Sequence, residues 1–113
     1  MRKKSNFIKG SVEILILQIL LDGECYGYEI AQRISKYSDG ELEIPEGSLY
    51  PALYKLSERG YLSEDKRLTG KRKSVIRIYY KIEESGRAYL EQQITEYNRV
   101  HSAIQKVLNK NNE

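Results

Sequence analysis

A mainly α-helical fold carrying one small β-hairpin is what this sequence predicts, on three observations. Apolar residues recur at helical spacing in three short stretches before Gly60. The period then drops to two between Ile76 and Ile82. A stretch of 25 residues from Glu84 to Leu108 returns to helical spacing and keeps it. With 113 residues, 31% charged and 40% hydrophobic, the chain has the size and composition of one soluble domain.

The first element runs from about Ser11 to Leu21, where eight of eleven residues are apolar. A helix apolar nearly all round is buried on more than one side. A buried strand competes, but the length and the Asp22-Gly23 stop favour a helix. Ser11 is the expected N-cap, with Glu13 near the positive end of the dipole. The second helix covers about Tyr26 to Tyr37, with Tyr26, Ile30 and Ile34 facing inward and Ser38-Asp39-Gly40 as its end. An extended acidic stretch follows to Ile44, punctuated by Pro45. The third helix is expected from Gly47 or Ser48 to Gly60, with Leu49, Leu53 and Leu56 inward. That start puts Pro51 in the first turn, where its missing N–H costs little.

Beyond Gly60, Ile76, Ile78, Tyr80 and Ile82 alternate with Arg77, Tyr79 and Lys81, a half-buried strand with a basic, aromatic outer face. Tyr61 to about Leu68 is its expected partner, through a turn at Thr69-Gly70-Lys71. In the last helix Leu90, Ile94, Tyr97, His101, Ile104 and Leu108 step by 4, 3, 4, 3 and 4, and Val100 and Val107 widen that seam.

Three short helices and a hairpin outline a winged helix-turn-helix. The expected organisation is a DNA-binding unit over residues 1–83 and a C-terminal dimerisation helix over residues 84–113. The net charge of +3 hides a strong segregation. Residues 2–9 hold Arg2, Lys3, Lys4 and Lys9 with no acid, and residues 39–46 hold four acids with no base. Residues 66–81 hold seven bases with no acid, a field suited to a polyanion. The outward residues of the third helix, Ser48, Tyr50, Pro51, Tyr54 and Lys55, are candidates for base edges and phosphates of double-stranded operator DNA. Lys71, Arg72, Lys73 and Arg77 are candidates for phosphate contacts from the wing. Two alternatives stand beside this: a solvated hairpin, and a basic hairpin that binds an acidic protein.

Four segments then carry a resemblance: Tyr26-Gly27-Tyr28-Glu29-Ile30, Glu46-Gly47-Ser48-Leu49-Tyr50-Pro51-Ala52-Leu53, Leu56-Ser57-Glu58-Arg59-Gly60-Tyr61-Leu62 and Tyr79-Tyr80-Lys81-Ile82-Glu83-Glu84-Ser85-Gly86-Arg87. Over roughly residues 10–108 the chain resembles the PadR family of bacterial transcriptional regulators, in its shorter subfamily with a single C-terminal helix. The resemblance implies a repressor. It also implies that the first and last helices pack together across the two-fold axis of a homodimer. Some relatives take planar, apolar effectors between the subunits. Two positions depart from the family pattern. Glu83 stands where a Thr is usual, and Lys73-Ser74-Val75-Ile76 replaces a Gly-Arg-Arg-like run before the tyrosines.

A 25-residue helix spans about 37 Å, longer than a domain of this size needs for itself. Homodimerisation through it, against the first helix, is therefore expected. The candidate dimer residues are Leu15, Ile19, Tyr89, Ile94, Tyr97, Val100, His101, Ile104 and Leu108. Around Tyr97 two readings stay open: plain dimer core, or a pocket that stacks a small planar apolar effector. His101 is read as locally hydrogen-bonded or, alternatively, as a pH sensor. Cys25 is expected to be an inert thiol, its pKa raised by Glu24. The acids from Asp39 to Glu46 lack the Gly-centred calcium-loop pattern and are read as solvated. One His and one Cys leave little for nucleophilic or metal chemistry, so no enzyme, cofactor or metal is expected. Val12–Leu21 is too short and too interrupted for a membrane span or a secretory signal, which makes the cytoplasm the expected compartment.

Overall fold

The computed structural model describes residues 10–112, so the basic run Arg2, Lys3, Lys4 and Lys9 lies outside the described residues. Seven elements follow in order: α1 (Val12–Leu20), β1 (Cys25–Tyr26), α2 (Gly27–Tyr37), α3 (Glu46–Glu58), β2 (Leu62–Thr69), β3 (Val75–Ile82) and α4 (Glu84–Leu108). This is a winged helix with a long C-terminal helix.

The core forms around α1. Val12, Ile16, Leu17, Ile19 and Leu20 are all buried, and α1 packs against α2, α3, α4 and β3 at once. That is what a helix apolar on nearly every side must do. Ile30 and Ile34 of α2, Leu49, Leu53 and Leu56 of α3, and Leu90 of α4 close the core around it. Ser11 stands at the N-cap of α1, but its hydroxyl makes no capping bond. Glu13 instead accepts a 2.7 Å hydrogen bond from the Tyr89 hydroxyl, tying α1 to α4.

Both α2 and α3 end in Schellman geometry. After α3 the Tyr61 N–H donates to the Leu56 carbonyl and the Gly60 N–H to that of Ser57, each at 3.0 Å, with Gly60 at φ +80°. After α2 the same pair of bonds runs from Gly40 to Ser35 and from Asp39 to Lys36, and Asp39 takes the left-handed position at φ +53°.

Three expectations need correction. The hairpin is part of a three-stranded antiparallel sheet in the order β1-β3-β2. Cys25 and Tyr26 pair with Tyr80 and Tyr79, so α2 starts at Gly27 and Tyr26 is its extended N-cap. Second, α3 starts at Glu46, which places Pro51 in the second turn rather than the first. The carbonyl that Pro51 leaves without a donor belongs to Gly47; both residues are exposed, so water can serve it. Third, the alternating face of β3 is buried only at its base. Tyr80 and Ile82 are buried and Ile78 is half-buried, whereas Ile76 is exposed, because the hairpin runs on past the core.

The wing is fixed to α4 by a tight junction. The Glu83 N–H donates to the Tyr61 carbonyl at 2.9 Å, and Ser85 Oγ donates to the Gly60 carbonyl at 2.8 Å. The Glu83 carboxylate makes no helix cap; it turns to β2 and accepts a 2.9 Å bond from Ser63 Oγ. Gly86 is buried here, and a Cβ on it would run into the Tyr61 carbonyl and lie 3.0 Å from Ile82 Cγ1. Gly86→Ala should therefore destabilise the fold by about 1–3 kcal/mol, because backbone has to move. A lowered midpoint in urea unfolding is the expected result; an unchanged midpoint contradicts this packing.

Candidate nucleic-acid interface

The exposed side of α3 divides into two flanks. Tyr50 and Tyr54, four residues apart, share one flank and are exposed, and Tyr50 faces the wing. Ser48, Pro51 and Lys55 lie on the other flank and line a shallow depression with Val12, Glu13 and Gln93. The five candidates on this helix thus share one side of it, and of them Tyr50 lines the cleft to the wing.

Tyr50 is seated on α2. Its ring lies over Gly27, where a Cβ would come within 2.8 Å of Tyr50 Cε1 and 2.9 Å of its hydroxyl. A glycine at this position lets the aromatic lie flat against the start of α2. Tyr54 is tied within its own helix. Its hydroxyl is hydrogen-bonded to the Glu58 carboxylate, which raises the pKa of the phenol. Tyr80, beneath the wing, also has a raised phenol pKa, from burial first and then from Glu64 and Tyr50.

The wing presents its cations in two ways. Lys71, Arg72 and Lys73 occupy the exposed turn between β2 and β3, with Gly70 at φ +92° and Lys73 at φ +51°. Arg77 is part of an ordered array on the outer sheet face. Its guanidinium sits 4.4 Å from the centroid of the Tyr26 ring, and Tyr26 meets Tyr79 edge to face at 5.5 Å. Arg67 covers Tyr79 at 4.3 Å and pairs with Glu24 and Asp65 at 2.8 Å each. Arg67 and Arg77 are register partners, so two like charges face one another across the strands. The two rings and two carboxylates offset that repulsion.

Between wing and reading helix runs a cleft of about 470 Å³, with Tyr28 and Tyr50 on one wall and Ile76, Ile78 and Tyr80 on the other. Tyr28 and Ile76 line it, Lys66 and Leu68 lie on the same strand face as Ile76, and none of the four is among the residues expected from the sequence. The usable signal was the alternation of β3, which continues past the point where the core ends.

The dimer candidates separate as well. Tyr97, Val100, His101, Ile104 and Leu108 are exposed along α4, and Val107 beside them is exposed too. Tyr97 and His101 stack with centroids 6.0 Å apart. Ile94 is half-buried against the core. Tyr89 is turned away from the seam and stacks on Tyr61 at 4.3 Å. Ile19 is a core residue, and Leu15 lines an apolar groove with Ile34, Tyr37 and Leu42. Cys25 is buried, and burial is the first cause of its raised pKa. The carboxylate that adds to this is Glu29; Glu24, expected in that role, is engaged by Arg67. Arg33 Nη1, 3.3 Å from the sulfur, acts in the opposite direction. Among the described residues no three His, Cys, Asp or Glu side chains gather as a metal would require, and no helix is long and apolar enough to cross a membrane.

Comparison with known proteins places this geometry. The profile of the transcriptional regulator PadR-like family matches residues 16–92. A transcriptional regulator from Clostridium thermocellum is similar with a TM-score of 0.80 and 33% identity, over 90% of this chain and 97% of that one. A PadR family transcription regulator from Clostridium difficile is similar with a TM-score of 0.68 and 28% identity, over 86% of this chain and 97% of its own. Bacillus subtilis PadR in complex with operator DNA shares the fold with a TM-score of 0.66 and 23% identity, over 74% of this chain and 46% of that one.

The seat of Tyr50 can be tested directly. In Gly27→Ala the new methyl meets only the far end of an exposed side chain, so Tyr50 should swing away. Stability should stay within about 1 kcal/mol of the parent, since the ring can yield. The ring resonances of Tyr50 should shift; unchanged resonances contradict the contact.

Proposed function

This chain belongs to the PadR-like family of transcriptional regulators, a family of regulators and not of enzymes, and from that premise we propose that it is a homodimeric repressor that binds a two-fold symmetric operator. One observation carries the reading: exposed Tyr50 of α3 and Ile76 and Arg77 of the wing line a single open cleft, and the wing ends in an exposed cationic turn. In a winged helix, α3 enters the major groove while the wing meets the neighbouring backbone. Operator DNA is the partner in the Bacillus subtilis PadR complex, and we carry that partner to this chain.

In this reading residues 1–83 are the DNA-binding unit and residues 84–113 the dimerisation helix. Tyr50 and Tyr54 read base edges and thymine methyls from the wing side of α3. Ser48, Pro51 and Lys55 hold the opposite flank against the other strand. Lys71, Arg72, Lys73 and Arg77 neutralise phosphates. The Tyr26 ring holds the Arg77 guanidinium in place before DNA arrives, which lowers the ordering cost of that contact. The exposed seam of α4 packs against α1 and α4 of a second copy, setting the two reading helices about one DNA turn apart, or about 34 Å. A shallow groove of about 290 Å³ at Tyr97, Val100, His101 and Ile104 lies on that seam. A planar, apolar effector stacked there changes the spacing of the two heads and releases DNA.

Three experiments test the reading. Tyr54→Ala and Tyr50→Ala should each abolish the preference for the chain's own upstream DNA over random duplex, while the dimer persists. Lys71→Ala with Arg72→Ala should weaken all duplexes alike and flatten the salt dependence by about 1–2 in log–log slope. A salt slope that does not change removes the wing from the phosphate-binding surface. For the dimer, Ile104→Asp with Val107→Asp should halve the mass seen by sedimentation from twice 13.2 kDa to a single chain. A dimer that survives both charges contradicts assembly through α4.

A further inference from the structure

Resting on that reading, we propose that Leu68 and Ile76 form an apolar wedge that seats against the deoxyribose walls of the DNA minor groove. They are register partners across β2 and β3. They lie on the strand face that begins, at the base of the wing, with buried Leu62, Tyr80 and Ile82. At Leu68 and Ile76 that face has left the core: they are 58% and 67% exposed. Four residues separate Ile76 from Tyr80, a reach of about 13 Å along the strand. Ile76 faces the open cleft toward α2 and α3. Two large aliphatic side chains are thus set side by side, in water, on the outer part of the hairpin.

Their surroundings identify the occupant. Lys66 shares their strand face, the turn cations Lys71, Arg72 and Lys73 lie just beyond them, and no acid occurs between Lys66 and Lys81, although Arg77 projects from the opposite face. A second copy would bring the same cations against these and be repelled. The minor groove has the matching pattern, apolar sugar walls flanked on both sides by rows of phosphate. Apolar side chains between flanking cations are a recurrent means of entering this groove.

The test separates this contact from phosphate binding. Leu68→Ser with Ile76→Ser replaces two exposed side chains, so the fold should survive, and a thermal melt checks it. Affinity for the upstream operator should fall at least about tenfold, from the lost apolar burial. The log–log salt slope should not change, because no cation is removed. Leu68→Val with Ile76→Val should retain most of the binding. Parental affinity in the serine variant overturns the wedge, as does a loss that comes with a flatter slope. A change in sedimentation with parental DNA affinity also overturns it and marks the pair as a self-association surface. If the unmodified chain binds no duplex at low salt, both this inference and the proposed function fail. If the unmodified chain binds and the serine variant binds equally, the wedge alone fails.

Discussion

Burial of α1 around most of its circumference, all but the strip of Glu13, Ile14, Leu15 and Gln18, is the constraint on which the other elements depend. Ile16, Leu17 and Leu20 are fully enclosed, and every other helix touches them or their neighbours. A nine-residue helix of this composition has no stable exposed state in water, so the chain must wrap it. The wrapping orients α3, whose Leu49, Leu53 and Leu56 are committed to the core and whose opposite side is thereby left to solvent. It also anchors α4, which reaches α1 through Leu90 and the Tyr89–Glu13 bond and then runs on exposed. The reading surface and the seam are consequences of one enclosed helix.

Tyrosine supplies most of the remaining specificity of shape. Tyr61 and Tyr89 stack at the junction of wing and α4, and Tyr26 and Tyr79 order the cations of the outer sheet face. Tyr50 rests on Gly27, and Tyr54 is held by Glu58. A tyrosine offers a large apolar face and one hydroxyl at a small entropic cost, which suits positions that are half in protein and half in water. The ten tyrosines of the chain therefore do the work that tryptophan, absent here, does at many wet interfaces.

The helices and both long strands were legible because their apolar residues repeat often enough to reveal a period. Glu84–Leu108 was read to the residue, since five successive steps of the seam agree. The strand at Cys25–Tyr26 was not legible: two residues cannot display alternation, and its pairing with Tyr79 and Tyr80 is a long-range event. The start of α3 was misplaced because a proline pulls the expected boundary toward itself, and an exposed Gly47 carbonyl tolerates it. Alternation in β3 correctly predicted a strand, yet it could not say where the core stops. That is why Ile76 was read as an inward residue and stands in solvent. The spacing of four between Tyr50 and Tyr54, and of three and four among Ser48, Pro51 and Lys55, already held the split of α3 into two flanks. Gly27 as the seat of Tyr50 became visible only when two distant motifs met.

In the function proposed above, two copies of the α3–wing surface engage one duplex through a shared α4 interface. Footprinting of the DNA upstream of the chain's own gene tests it most directly, with separate probes for major-groove and minor-groove atoms. The account predicts two protected major-groove patches about 34 Å apart, each bordered by minor-groove protection where a wing lands. Uniform protection without paired patches, or none at low salt with a folded dimer, contradicts it.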